Sequence, residues 1–361
     1  MKILYDHQIF SWQKFGGISR YFVELITHLP KDINIHNSTI FSDNVYLKQL
    51  NNAILSGLPV PNFKGKNHLE GYINKASSLL AIELNKYDIL HPTYYNPYFI
   101  NKIKRPYVIT VYDMIHEKLN NMFHSDDLTI RNKRETIINA TKVIAISQNT
   151  KEDLIELYGM QEDKIEVVHL GHSVNKSQTD PVNGLPDNYI LFVGQRGGYK
   201  NFSRFVKAYA IIQKKYQGIK LVCTGNSFNA EEQQIIQSLN IKNDVLHYFV
   251  TDTQLTYLYQ HALCFVYPSL YEGFGIPILE AFASQCPIAL SNTSCFPEIA
   301  RDGGCYFNPY EIDDIADVLG KVLSDEQLRK DLITNGNNVL KHYSWDKMAK
   351  ETAAIYKNII Q

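Results

Sequence analysis

One stretch decides what kind of chain this can be. Residues 262–285 read ALCFVYPSLYEGFGIPILEAFASQ. Leu263–Tyr267 is an unbroken apolar, β-branched and aromatic run, which marks a buried strand. Pro268-Ser269 ends it, Gly273 and Gly275 make a loop, and Pro277-Ile278-Leu279-Glu280-Ala281-Phe282 restarts as a helix. Pro277 suits a first helical position, where its missing N–H costs nothing. Strand, glycine loop and helix in that order point free backbone N–H groups and a helix dipole at a phosphate. Glu272 sits in the loop, where its carboxylate can reach a ligand. Glu280 is expected in the first helical turn, where it can accept from vicinal hydroxyls such as a ribose diol. A surface loop with one glutamate stabilising a helix end is the plainer alternative. The glycines, the proline and the strand-loop-helix context together favour the ligand loop.

This stretch closely resembles the signature of the retaining glycosyltransferases of family 4, the glycosyl transferases of group 1, which have the GT-B fold. Their pattern is Glu-Gly-Phe-Gly-x-Pro-x-x-Glu-Ala, and Glu272 to Ala281 matches it throughout. The resemblance implies an α/β chain of two Rossmann-like, doubly wound domains facing a cleft, strand and helix alternating. It implies transfer of a sugar from a nucleotide diphosphate sugar with retention at the anomeric carbon. Glu272 would then contact the donor sugar, Glu280 the ribose, and Gly273, Phe274 and Gly275 would line the donor site.

Composition narrows the rest. A chain of 361 residues can bury one large core or, more readily, two of ordinary size. Hydrophobic content of 45% and charged content of 20% are those of a globular protein in water. A formal net charge of −1 excludes bulk nucleic-acid binding as the main business of the chain. No run of eighteen apolar residues occurs, and Met1–Tyr5 leads directly into a strand, so neither a membrane span nor a signal peptide is expected. Five cysteines, odd in number and without a Cys-x-x-Cys pair, read as buried free thiols in a reducing cytoplasm.

In chain order, Lys2–His7 is a first strand and Gln8–Gly17 a loop ending in Gly16-Gly17. Apolar residues at 18, 22, 25, 26 and 29 then have helical spacing. The glycine pair lets backbone approach a ligand but is no full Gly-x-Gly-x-x-Gly fingerprint. In the family such a loop faces the interdomain cleft, which implies a donor-side role for Gly16 and Gly17. Asn34–Phe41 is a second strand, residues 42–73 are polar and irregular, and Ser77–Asn85 is helical. Tyr87–His91 is a strand followed by Pro92-Thr93-Tyr94-Tyr95, at the strand end where open α/β sheets bind ligands. His91, Tyr94 and Tyr95 are therefore acceptor-binding candidates, the tyrosines by stacking, although a lone His in such a place is more often structural. Tyr107–Val111 precedes Tyr112-Asp113-Met114-Ile115-His116. Family members carry a His-Asp pair here, the His beside the reacting sugar; Tyr112 replaces that His, Asp113 is retained, and His116 is the nearest imidazole. Asp113 and His116 are the catalytic candidates of this half.

Asn101–Arg105 and Arg131, Lys133 and Arg134 add positive charge, read as a solvated face or as a peripheral membrane contact near a lipid-linked acceptor. Lys142–Ser147 is a strand, and Gln148–Leu154 opens a helix with a family Ser-x-x-Ser/Thr pattern that capping alone would explain. Lys164–His169 closes a first, acceptor-binding domain of residues 1–171. Residues 172–188 lack periodicity and read as a linker.

A second, donor-binding domain spans 189–340. Its strand Tyr189–Gly194 runs into Gln195-Arg196-Gly197-Gly198-Tyr199-Lys200-Asn201. Two cations four apart in a glycine loop suit a diphosphate, Arg196 bidentately and Lys200 as a point charge. Family members have a Gly-Arg followed by Lys-Asn here; this chain shifts the Arg by one position. Gly225 offers another close backbone approach, and Val250 ends a strand at the junction that in the family borders the nucleotide base. Residues 341–361 form a helix that in GT-B enzymes crosses back onto the first domain.

The resulting expectation is a hexosyltransferase using a UDP- or GDP-linked sugar and a saccharide or lipid-linked saccharide acceptor. Asn- and Lys-rich composition associates it with bacterial surface polysaccharide such as O-antigen or capsule. No Asp-x-Asp occurs in the chain, so no metal and no cofactor are called for. The expected place is the cytoplasm or the inner face of the plasma membrane. A nucleotide-sugar epimerase of GT-B architecture would share the carboxylates; a nicotinamide dehydrogenase lacks its fingerprint; a non-catalytic sugar-binding module would need no basic diphosphate loop.

Overall fold

A computed structural model describes residues 1–50, 57–58, 61, 63–123, 128–174 and 178–361. The chain divides into two compact units, Met1–Leu170 with Ser344–Gln361, and Gly171–Tyr343.

The first unit holds β1 (Lys2–Tyr5), β2 (Asn34–Asn37), β3 (Ile89–His91), β4 (Val108–Val111), β5 (Lys142–Ala145) and β6 (Ile165–Val167). All pairings are parallel, in the orders β2-β1-β3 and β4-β5-β6, with a single Leu90–Tyr107 bridge between the two groups. β1, β3, β4 and β5 are short, mostly apolar runs buried on both faces, as a parallel sheet covered by helices requires, whereas the outer β2 is polar and partly exposed. Winding reverses between β1 and β3, so their carboxyl ends border the crevice where doubly wound sheets take ligands.

Three local expectations change here. The loop after β1 contains a short helix, Gln8–Trp12, before the helix Gly17–His28. The segment read as irregular holds a helical turn, Val45–Lys48, and the start of a long helix, Lys66–Leu84, which reaches well upstream of Ser77. Residues 51–56, 59–60 and 62 of that segment, and 175–177 of the 172–188 segment, lie outside the described residues. Tertiary packing explains the longer helix: Asn74, Ser78, Ala81 and Ile82 form one buried stripe whose polar members propensity alone does not reveal.

The last helix, Trp345–Ile360, belongs to the first unit. Ser344 caps it by accepting from Lys347 N at 3.1 Å. Its inward face buries Trp345, Met348, Ala349, Thr352, Ala353, Ile355 and Tyr356.

The second unit carries β7 (Tyr189–Phe192), β8 (Lys220–Cys223), β9 (Val245–His247), β10 (Cys264–Tyr267), β11 (Ile288–Ser291) and β12 (Gly304–Phe307). They form one parallel sheet in the order β12-β11-β10-β7-β8-β9, reversing between β7 and β10. Phe192, Phe202, Phe205, Tyr209, Val266 and Leu319 are among the buried core on one side of that sheet. Part of the 172–188 segment packs onto this unit: Tyr248 Oη donates to Gly184 O at 2.7 Å and Thr253 Oγ1 to Asp180 Oδ2 at 2.6 Å. The five cysteines are free, four of them buried.

Candidate active site

Two loops meet at the reversal point of the second sheet, one after β7 and one after β10. Asn201 ties them. It sits at φ +58, and its side-chain amide donates to Pro268 O at 3.0 Å and to Pro309 O at 2.8 Å, while Leu270 N donates to Tyr199 O at 2.8 Å. The tie brings Lys200 to Glu272: Nζ lies 2.6 Å from Oε1. Ser269 Oγ donates to the same oxygen at 2.7 Å, and Glu272 N donates to Ser294 Oγ at 3.2 Å. Lys200 also stands 5.0 Å from the Tyr199 ring centroid and 5.8 Å from that of Tyr267. Burial depresses the Lys200 ammonium, but the Glu272 carboxylate outweighs it and holds the group above its ordinary range. The result is a fixed cation and a fixed carboxylate in a glycine-bordered loop.

The helix after β10 runs Ile276–Ala283, with Gly275 as its N-cap at φ +89 and Pro277 in the first turn. It begins one residue before Pro277, so Glu280 falls in the second turn and not the first, a shift of the size helix ends commonly show. A Cβ at Gly275 would lie 3.0 Å from Ile278 Cδ1 and 3.2 Å from Phe296 Cε1, a tight fit added to a left-handed φ that itself favours glycine. Tyr259 Oη donates to Glu280 Oε2 at 3.4 Å. Gly225, at φ +92, presses on the loop after β7: a Cβ there would come 2.5 Å from Gly194 O. Val250 is half-buried and precedes Thr251, which caps the helix Asp252–His261.

Arg196 is a correction. Its side chain is not turned outward as a diphosphate clamp but buried, 5% exposed. Nη1 donates to Thr224 O at 2.9 Å, Nη2 to Asn226 O, and Nε lies 3.2 Å from Glu232 Oε1. The guanidinium carbon stands 4.7 Å from the Phe228 ring centroid and 5.8 Å from that of Phe202. A charge desolvated this far needs such partners, and held by them it braces the loops after β7 and β8.

In the first unit the acceptor candidates part company. His91 is fully buried, with Nδ1 2.5 Å from Tyr356 Oη and Nε2 2.9 Å from Thr110 Oγ1, and burial pushes its pKa down to about 3. It is a neutral core residue and not an acceptor ligand. Tyr95 is likewise buried, its hydroxyl accepting from Tyr112 N at 3.0 Å. Tyr94 is half-buried, its ring 5.1 Å from that of Trp12. Asp113 Oδ1 accepts from Ile115 N at 3.1 Å and lies 3.7 Å from Lys133 Nζ. His116 stacks on Phe123 with centroids 4.1 Å apart. Lys133 is a second correction: it is 1% exposed and paired with Glu117 at 3.0 Å, not part of a solvated face. Gly16 caps Gly17–His28, and a Cβ on it would meet the Gln13 side chain, whereas one on Gly17 would meet nothing within 4 Å. Ser147 accepts from Thr150 N at 3.1 Å, the helix cap that its position suggested.

Ser269, Ser294 and Tyr259 escaped notice in the sequence. Ser269 directly follows the strand-ending Pro268, which is the one local hint; Ser294 and Tyr259 reach the carboxylates only through the fold. Among the described residues no three His, Cys, Asp or Glu side chains gather as a metal site would, and no helix is long and apolar enough to cross a membrane.

A parallel sheet reversing at β7/β10 carries a glycine-bordered helix start, a fixed cation and two carboxylates at its carboxyl edge, the place where doubly wound α/β sheets take ligands. Two family models divide the chain, Glycosyltransferase Family 4 over residues 15–176 and Glycosyl transferases group 1 over residues 175–339. The chain belongs to glycosyltransferase family 4 and has the GT-B fold. It is 24% identical over 390 residues to the O-antigen chain mannosyltransferase B of Escherichia coli, covering 99% of this chain and 100% of that one. It is 34% identical over 208 residues to the O-antigen chain mannosyltransferase RfbU of Salmonella typhimurium, covering 57% and 56%. In fold it is similar to the solved structure of Anabaena Alr3699/HepE in complex with UDP-glucose, with a TM-score of 0.75 at 18% identity over 99% of this chain and 100% of that one.

Proposed function

We propose that the chain is a retaining, metal-independent hexosyltransferase that moves a sugar from a UDP- or GDP-linked donor to a saccharide or lipid-linked saccharide acceptor in surface-polysaccharide assembly. The observation that carries this is the Lys200–Glu272 pair, held at 2.6 Å beside a glycine-capped helix at the β7/β10 reversal. The O-antigen mannosyltransferase relatives support the sugar class and the pathway type. A peripheral membrane contact would hold the enzyme near a lipid-linked acceptor.

In this reading the second unit binds the donor. The diphosphate takes over Lys200 as its charge grows, and the amides of Gly273–Gly275 accept the remainder electrostatically. Glu272, relieved of Lys200, orients the donor sugar. Glu280 takes the ribose hydroxyls, and Gly225 and Val250 border the nucleoside. Arg196 acts by bracing the loops, not by touching phosphate. The first unit binds the acceptor, with Asp113 or His116 beside the reacting sugar and Gly16 and Gly17 at its donor side. The acceptor oxygen attacks on the face the leaving group vacates, and a donor phosphate oxygen takes its proton. An epimerase is disfavoured, because the relatives are transferases by name.

A thermal-shift panel of nucleoside diphosphates tests the donor half. A ligand bound only by the native state raises the melting temperature, by about 2.7 kcal/mol of stability at a hundredfold excess over Kd. No shift with any nucleoside diphosphate would sink it. Turnover unchanged in excess chelator is the result expected of fixed cations; activity lost in chelator and restored by a divalent ion would refute metal independence.

A further inference from the structure

At the β1/β3 reversal of the first unit, the Asp6 carboxylate is fully buried and surrounded by donors. It accepts from Thr93 N at 2.8 Å, Thr93 Oγ1 at 2.7 Å, Gln8 Nε2 at 2.7 Å and Tyr98 Oη at 3.1 Å. Gln8 Oε1 in turn accepts from Asn96 N at 2.7 Å. A buried charge satisfied this completely fixes the groups around it. Gln8, Asn96 and Tyr98 line a cavity of about 180 Å³, together with His7, Trp12 and Lys75.

His7 Nδ1 lies 2.8 Å from Ser78 Oγ, which lies 2.7 Å from Ser38 Oγ, so one ring nitrogen is held by a buried hydroxyl chain and Nε2 is the nitrogen left to bind a hydroxyl. Burial lowers the His7 pKa, Asp6 opposes this and Lys75 reinforces it, so the ring is neutral near neutral pH. Lys75 is exposed, 5.7 Å from the Tyr98 ring centroid, with no carboxylate in ion-pair distance among the described residues. Trp12 is 63% exposed and meets Tyr94 only edge-on, at 5.1 Å and 64°.

A fixed ring nitrogen, an exposed ammonium donor and a bare indole face suit a ring with hydroxyls on its rim and one apolar face. An anion is disfavoured, since it would meet a neutral ring with the Asp6 carboxylate close by. We propose that this cavity is an acceptor subsite for a single hexopyranose: Trp12 covers the apolar face of the sugar, and Lys75 and His7 Nε2 bind its hydroxyls. This rests on the transferase reading above and moves acceptor recognition away from His91 and Tyr95 to residues around the helix Gln8–Trp12.

The chain has two tryptophans, and Trp345 is 5% exposed, so the two indole N–H resonances report separately. Titrating the full chain with methyl α-D-mannopyranoside should move the Trp12 signal saturably and leave that of Trp345 in place. Lys75→Ala, at an exposed position, should weaken binding about tenfold or more, the scale of one hydrogen bond to a charged group. Trp12→Leu should abolish saturation transfer from protein to hexoside. A silent Trp12 signal, unchanged affinity in Lys75→Ala, or a response to inorganic phosphate in place of hexoside would overturn the proposal. UDP and GDP are added to the same samples. Nucleotide binding with a silent Trp12 defeats only the subsite; hexoside binding without any nucleotide binding defeats the transferase reading and with it the acceptor role.

Discussion

Lys200 and Glu272 are the pair on which the proposed donor site turns, and each can be removed alone. Lys200→Ala leaves Glu272 with Ser269 as partner and removes the cation that faces it. It should lower kcat/KM by about 10²–10³-fold, the usual effect of deleting a preorganised donor at a developing charge. Initial rates at subsaturating donor measure this, and a loss below tenfold would argue that the diphosphate is held elsewhere. His91 makes the second residue-scale case. Its folded pKa of about 3 lies below its ordinary 6.5, so its contribution is whole above 6.5. As pH falls through that window only the unfolded state takes up the proton, and stability drops. Near pH 5 the deficit from this one group is on the order of 2 kcal/mol. His91→Gln, which keeps a donor and an acceptor, should flatten the melting-temperature profile between pH 6.5 and 5 relative to wild type. An unchanged slope would mean that other groups govern the acid limb.

The same pair of residues shows what can and cannot be seen in a sequence. The places of Glu272, Lys200 and Gly275 are legible because they follow from local rules: a strand that ends, a glycine loop, a helix start, a cation in a glycine loop after a strand. Arg196 and His91 obey no local rule. Whether a loop cation faces out depends on Glu232, Phe228 and Thr224, and His91 is satisfied by Tyr356, 265 positions away. Gln8–Trp12 was missed because five residues carry too little helical period to be told from a loop. At the scale of elements, the loops after β7 and β8 act as one piece, joined by Arg196 and by the contact of Gly225 on Gly194. Gly225→Ala puts a Cβ 2.5 Å from a backbone oxygen that no rotamer change can relieve. Strain and clash together should cost about 1–3 kcal/mol and weaken nucleoside diphosphate binding. Gly197→Ala has open space and an ordinary φ of −74, and serves as the control. Equal melting temperatures for the two variants would show that the loops are not coupled.

At the scale of the molecule the first unit is assembled from both ends of the chain, and its last helix is structural material that arrives only after the second unit has been passed. Met348, Ala349 and Tyr356 on that helix are fully buried, and Trp345, Ala353 and Ile355 nearly so. At roughly 1.5–3 kcal/mol for each large apolar side chain removed from water, the helix contributes on the order of the 5–15 kcal/mol that holds an ordinary domain folded. Its loss also strips the Tyr356 hydroxyl from His91 Nδ1 and from Tyr5, 3.1 Å away, leaving polar groups buried without partners. A chain ending at Tyr343 should therefore unfold its first unit while the second keeps its sheet and its affinity for nucleoside diphosphates. Calorimetry should show one transition lost and one that nucleotide still raises, and hydrogen exchange should place the loss in β1–β6. Protection retained across β1, β3 and β4 in the truncated chain would mean that the six-stranded half stands without its last helix, and that the helix serves another purpose.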